Sequence, residues 1–130
     1  MNGFKIKMQL PSLNDFLDKV RQHRKIGNSF KKNIENDIGI FITMSRNTLR
    51  PVQEYPCCVF IIWHEKSRKR DVDNVQSAQK FILDALVKRK ILLNDNPSRV
   101  ANIYHQIEYG KDDYVEVYLL EGKSRLEINI

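Results

Sequence analysis

Asp71 and Asp73 flank Val72, between an apolar run and a segment of helical spacing. In an extended chain the side chains of residues i and i+2 leave the same face, so the spacing predicts that the two carboxylates converge. Oxygen ligands with open positions suit Mg²⁺, a hard ion that keeps several waters and accepts phosphate oxygens. Asn74 offers a further carbonyl oxygen or a helix cap. Asp95 lies in the turn Asn94-Asp95-Asn96-Pro97 beyond the following helix, and packing of the chain back toward the sheet would bring it to the same ion. Two plainer readings stand beside this one. D-x-D-N ahead of a helix is also what a capping turn looks like. N-D-N-P is ordinary turn sequence.

Lys66, Arg68, Lys69 and Arg70 come immediately before the acidic pair. Cations beside carboxylates make sense if a phosphate backbone lies along them and presents one phosphodiester to the ion. The alternative is a solvated loop whose charges screen one another. The chain as a whole carries 22 Lys and Arg against 16 Asp and Glu, a net charge of +6. The surplus is uneven: residues 1–70 hold 14 basic and 6 acidic residues, and residues 71–130 hold 8 and 10. A basic first half suits a polyanionic partner. His23, His64 and His105 are scattered, no Ser-His or Cys-His arrangement can be defended, and no glycine-rich phosphate loop is present. Cys57 and Cys58 are adjacent and point to opposite faces of a strand, so they cannot bridge without strain. They are expected to be buried and reduced, in a cytoplasmic protein.

The elements that must position these residues follow from periodicity. Phe4, Ile6, Met8 and Leu10 alternate with polar residues, a half-buried strand that Pro11 ends. Ser12 and Asp15 form a capping box for a helix running to about Lys25, stopped by Gly27. Ser29 caps a second helix whose stripe is Phe30, Ile34, Ile38, Phe41 and Met44. Residues 46–55 read as a loop. Cys57 to His64 is apolar on both faces and predicts a central strand. After the charged segment, Val75, Ala78, Ile82, Ala85 and Leu86 face inward from a helix on which Asp73, Ser77, Lys80 and Asp84 share a polar side. Strands over 100–109 and 114–120 are expected to form a hairpin through Gly110-Lys111-Asp112-Asp113. Tyr104, Tyr109 and Tyr114 are read as core or hairpin pairs rather than base-stacking platforms. Leu126, Ile128 and Ile130 alternate at the end, as an edge strand or an interface. The sum is one α+β domain over 1–130, a small mixed sheet with helices packed on it. The composition and the absence of a long apolar run argue against a membrane protein, a secreted disulfide miniprotein or a multidomain enzyme.

Arg68-Lys69-Arg70-Asp71-Val72-Asp73-Asn74, then Asp84-Ala85-Leu86, then Leu93-Asn94-Asp95 resembles the RusA family of Holliday junction resolvases. The family pattern is a basic run, D-x-D-N-x-x-K, a D-A-L helix and an acidic turn. Asp84 and Asp95 are eleven residues apart, as in the family. Leu10-Pro11-Ser12-Leu13-Asn14 looks like the end of the family's first strand. The family lysine follows the second aspartate by four residues, where this chain has Ser77. Lys80 instead keeps the family's distance to the D-A-L aspartate, and a three-residue insertion after Asp73 reconciles both. The resemblance implies a Mg²⁺-dependent endonuclease acting on four-way DNA junctions in recombination and repair, as a homodimer. It implies Asp71, Asp73 and Asp95 as metal ligands, Lys80 as the cation on the reacting phosphate, and products with 5′-phosphate and 3′-hydroxyl ends. A nuclease for other branched DNA, or a non-catalytic basic DNA-binding module, would share the basic run.

Overall fold

The structure is a computed structural model and describes residues 1–127; Ile128 and Ile130, of the alternating end, lie outside them. The elements are β1 (Gly3–Ile6), α1 (Leu13–Gln22), α2 (Arg24–Met44), β2 (Cys57–Glu65), α3 (Val72–Gln76), α4 (Gln79–Lys88), β3 (Val100–Tyr109) and β4 (Tyr114–Glu121). The strands form one mixed sheet in the order β1-β4-β2-β3. β2 pairs parallel with β3 and antiparallel with β4, and β1 pairs antiparallel with β4. The architecture is therefore α+β, as expected. No described helix is long and apolar enough to cross a membrane.

The run Cys57–Glu65 is apolar on both faces, and it takes an interior place in the sheet. Val59, Ile61 and Trp63 join Phe4, Ile6, Val115 and Val117 on one face, against Ile38 and Ile42 of α2 and Phe81, Ile82, Ala85 and Leu86 of α4. Cys57 and Cys58 are both free and buried, and burial pushes the Cys57 thiol up to about 11.

Four expectations give way. β3 and β4 are not a hairpin, because β2 lies between them. Residues 110–113 instead cross the end of β2, where Gly110 N–H donates to the Glu65 carbonyl at 3.0 Å and Lys66 N–H donates to the Asp113 carboxylate at 2.8 Å. Crossing two strand spacings needs about 10 Å, within reach of a four-residue link. β1 stops at Ile6 rather than Leu10, because its partner β4 begins one pair beyond the Ile6–Val115 match. The first helix ends at Gln22 rather than Lys25, and α2 starts at Arg24 without Ser29 as its cap. Extended His23 separates the two helices, its Nδ1 accepting from Lys25 N–H at 3.0 Å. Gly27 lies inside α2, where a Cβ would stand 2.5 Å from Val20 Cγ2, so it serves close helix packing rather than termination. Finally, the helix after Asp71 breaks at Ser77-Ala78 into α3 and α4. Asp73 therefore does not share one helix face with Lys80 and Asp84.

On the core side of β3, the Trp63 indole N–H donates to His105 Nδ1 at 2.9 Å, and His105 Nε2 meets Gln79 Oε1 at 2.8 Å, at the first residue of α4. Nδ1 accepts, so the proton sits on Nε2 and the ring is neutral. Burial lowers the His105 pKa below the ordinary 6.5. As pH falls below that value the unfolded chain takes up the proton first, so this residue's contribution to stability is intact above it and declines below it. The urea midpoint of the wild type is expected to fall more between pH 7 and pH 5 than that of His105→Gln, which keeps both hydrogen bonds without titrating; equal slopes would contradict this.

Candidate functional site

The loop that leaves β2 is closed by a buried ion pair. Glu65 is 3% exposed. Its carboxylate accepts from Arg70 Nε at 3.0 Å, from Arg70 Nη2 at 2.8 Å and from Gln9 Nε2 at 3.3 Å. The remaining guanidinium nitrogen, Nη1, donates to the Leu10 carbonyl at 3.0 Å. Every nitrogen of the Arg70 head group is thus engaged inside the fold. Arg70, expected among the DNA-seating cations, is thus held by a buried carboxylate, unlike the other three cations of the run. Lys66, Arg68 and Lys69 are exposed and make no ion pair among the described residues. The Arg68 guanidinium lies over the Tyr109 ring at 4.1 Å from its centroid, which steadies the loop against β3.

The segment Leu10–Asn14 docks on the same loop. Ser12 and Asp15 form the expected capping box. Leu13 N–H donates to Ser77 Oγ at 2.9 Å, and that hydroxyl donates to the Asn74 carbonyl at 2.7 Å. Asn14 Nδ2 donates to Asn74 Oδ1 at 2.8 Å. Two stretches about sixty residues apart, the proline-asparagine end of the first strand and D-x-D-N, therefore meet. The Asn74 side-chain oxygen is engaged by Asn14 rather than free for an ion.

Asp71 is the N-cap residue of α3, yet its side chain makes no capping hydrogen bond. Asp73 follows two residues on, inside the first helical turn, with Oδ1 accepting from Asn74 N–H at 3.0 Å. Since the helix begins at Val72, the two carboxylates are neighbours at a helix start rather than members of one extended face. Both are exposed, and neither has an ion-pair partner among the described residues. Asp95 is exposed in its turn, but the turn is built by its neighbours. Asn94 Oδ1 accepts from Asn96 N–H at 3.2 Å, and Asn96 Oδ1 accepts from Ser98 N–H at 3.1 Å and from Ser98 Oγ at 2.6 Å. Capping and turn formation therefore account for neither the Asp71 nor the Asp95 carboxylate. Among the described residues no three His, Cys, Asp or Glu side chains form one ligand group, so this arrangement does not join Asp95 to the pair.

Neither the family models nor the curated proteins compared with the chain give a match.

Lys80 is on the exposed side of α4, 3.4 Å from the Asp84 carboxylate, which also pairs with Lys31 at 3.3 Å. Lys80 can swing away without leaving Asp84 unpaired. Ser77 holds α1 to α3 through its bonds with Leu13 N–H and the Asn74 carbonyl, so its substitution is expected to act on stability. Loss of the acceptor for a part-buried N–H is expected to cost about 1–3 kcal/mol. Urea unfolding should show that loss in Ser77→Ala and none in Lys80→Ala; the reverse order would contradict the assignment.

A further network was not legible in the sequence. On the sheet face away from the helices, His64 Nε2 and Glu116 Oε2 are 2.6 Å apart, and Tyr118 OH donates to Glu116 Oε1 at 2.6 Å. Burial alone would raise the Glu116 carboxyl, but the bonds from Tyr118 and His64 outweigh it and hold the group below the ordinary carboxylate range. The same bond, with burial, pushes the Tyr118 hydroxyl up to about 12. His64 stacks on Tyr114 at 3.9 Å between centroids. These residues meet through strand register, and no local motif marks them.

Proposed function

We propose that the chain is a Mg²⁺-dependent endonuclease of four-way DNA junctions, similar to the RusA resolvases and acting as a homodimer. The observation that carries this reading is the Asp71–Asp73 pair: exposed carboxylates at the start of α3, just beyond the loop clasped by Glu65 and Arg70, with no ion pair among the described residues, next to the exposed cations Lys66, Arg68 and Lys69, which make none there either. The donor set fits Mg²⁺, which is commonly held by one or two carboxylates and completes its shell with water and phosphate oxygens. Asp71 and Asp73 would hold the ion, and Asp95 is the proposed third donor. When bound, such an ion stabilises charge on the phosphate and makes its water more acidic.

Around that centre the chain's own residues have separate tasks. Lys66, Arg68 and Lys69 seat the backbone by charge. Lys80, released from Asp84, places a cation on the oxygen that gains charge. The Leu10–Asn14 segment fixes Asn74 and so orients the turn that carries both aspartates. Two symmetric nicks in one junction call for two sites related by a two-fold axis, which a homodimer provides.

The test is incubation with an end-labelled synthetic four-way junction, with and without Mg²⁺. Paired symmetric nicks that need the ion are expected. Cutting of flaps alone would favour a nuclease for other branched DNA, and binding without cutting a non-catalytic module. Arg68→Ala with Lys69→Ala is expected to weaken binding to every DNA form and to lower the slope of log affinity against log salt by about two. An unchanged slope would contradict phosphate seating by these residues.

A further inference from the structure

The first half of α2 is basic out of proportion to the rest of the chain. Residues 19–32 hold six Lys and Arg and no Asp or Glu, a local charge equal to the net +6 of all 130 residues. On α2, Arg24, Asn28, Lys31, Glu35, Ile38 and Ile42 recur at steps of four and three and so share one stripe. The stripe is buried at Ile38 and Ile42 and open to solvent at Arg24 and Asn28. Lys25 and Lys32 flank its open half, and both are exposed. α2 runs parallel to α4: Lys31 pairs with Asp84 at 3.3 Å, and farther along both helices Arg89 lies against Gly39 and donates to Thr43 Oγ1 at 3.1 Å. The open half of the stripe is therefore beside the start of α4, where Lys80 reaches the same Asp84 oxygen at 3.4 Å. Arg24, Lys25 and Lys32 make no ion pair among the described residues.

We propose that the α1–α2 hairpin seats the phosphate backbone of a double-stranded DNA arm leading away from the Asp71–Asp73 site, with Arg24, Lys25 and Lys32 as its contacts. The surface rests on the DNA reading above and extends it beyond the loop cations Lys66, Arg68 and Lys69. Three observations select that occupant. The charge is of one sign, and cations held together on one helix repel until a polyanion covers them. Lys31 is not counted among the contacts, because Asp84 and Glu35 hold it at 3.3 Å and 3.8 Å. Lys31 and Lys80 share Asp84, which joins the hairpin to the cation proposed for the reacting phosphate. The spacing also fits. From Arg24 to Lys32 the helix rises about 12 Å. Phosphates of one DNA strand follow at about 3.4 Å along the duplex axis, so the three cations span roughly three to four of them. Ile34, Ile38 and Ile42 are packed in the core, which leaves α2 no continuous apolar face to enter a bilayer.

Fluorescence anisotropy of the full chain on a labelled four-way junction and on linear duplex, without Mg²⁺ and across a salt series, tests the proposal. Lys25→Ala with Lys32→Ala is expected to lower the slope of log affinity against log salt by about two on both DNAs. Arg46→Ala with Lys88→Ala removes the same charge just beyond the end of α2 and at the end of α4. That control is expected to leave the slope within about 0.5 of wild type. All four side chains are exposed, so both variants are expected to keep the wild-type thermal midpoint. An unchanged slope in Lys25→Ala with Lys32→Ala overturns the proposal, as does an equal fall in the control, which would make the attraction one of net charge. A wild type that binds no DNA overturns it too, and its sedimentation with anionic phospholipid vesicles would then assign the hairpin to a membrane surface. Binding with the expected slopes but no cutting would remove the nuclease and leave this contact; cutting with unchanged slopes would do the opposite.

Discussion

Asp71→Asn and Asp73→Asn are each expected to reduce junction cleavage at saturating DNA by at least about a hundredfold, through loss of charge at the proposed ion. Folding is expected to stay within about 0.5 kcal/mol of wild type, because each site is exposed and the new amide retains an acceptor oxygen. The Asp71 side chain makes no capping bond to lose, and in Asp73→Asn the amide oxygen can still accept from Asn74 N–H. Junction affinity is expected to hold or rise, since one negative charge facing the phosphates has gone. Single-turnover cleavage, a thermal melt and a binding isotherm on the same preparations check all three. Near-normal cleavage by both variants would remove the pair from the reaction.

The second large effect falls on stability. Arg70→Ala leaves the Glu65 carboxylate, 3% exposed, without its partner and the Leu10 carbonyl without its donor. Breaking a buried pair by deleting one member costs about 3–5 kcal/mol, because the remaining charge stays desolvated. Arg70→Lys is not expected to restore it, since an ammonium cannot reproduce the planar fork that meets Glu65 and Leu10 together. Glu65→Gln combined with Arg70→Met should recover part of the loss by removing both charges. Urea unfolding measures each variant. An Arg70→Ala protein as stable as wild type but with a shallower salt dependence of DNA binding would return Arg70 to the phosphate-seating cations.

Arg70 also marks where sequence reasoning stops. Four cations in a five-residue stretch look alike in composition, and only burial of Glu65 separates the structural one from the others. Glu65 itself ends an apolar strand and gives no local sign of being buried. β2 was legible because its apolar residues occupy both alternating faces, and the Ser12–Asp15 capping box because its spacing is its mechanism. The hairpin was misread for the converse reason. Gly110-Lys111-Asp112-Asp113 has turn chemistry, but strand order is set by which strand must be covered on both sides, and β2 outcompetes β3 as the neighbour of β4. The break at His23 carries no proline or glycine and follows from the tight approach of Val20 to Gly27. At the site, the residue types were readable and their arrangement was not. The i, i+2 argument assumed an extended chain where α3 has already begun.

The proposed activity requires that Asp71 and Asp73 hold a divalent ion. Mn²⁺ added in place of Mg²⁺, below one equivalent, to ¹⁵N-labelled protein locates the ion directly, because the paramagnet broadens amide signals near it. The amides of Asp71, Asp73 and Asn74 are expected to broaden first, followed by that of Asp95, and Asp71→Asn is expected to remove the effect. Uniform broadening, or broadening centred on the acidic pair Asp112 and Asp113 and untouched by Asp71→Asn, would contradict it.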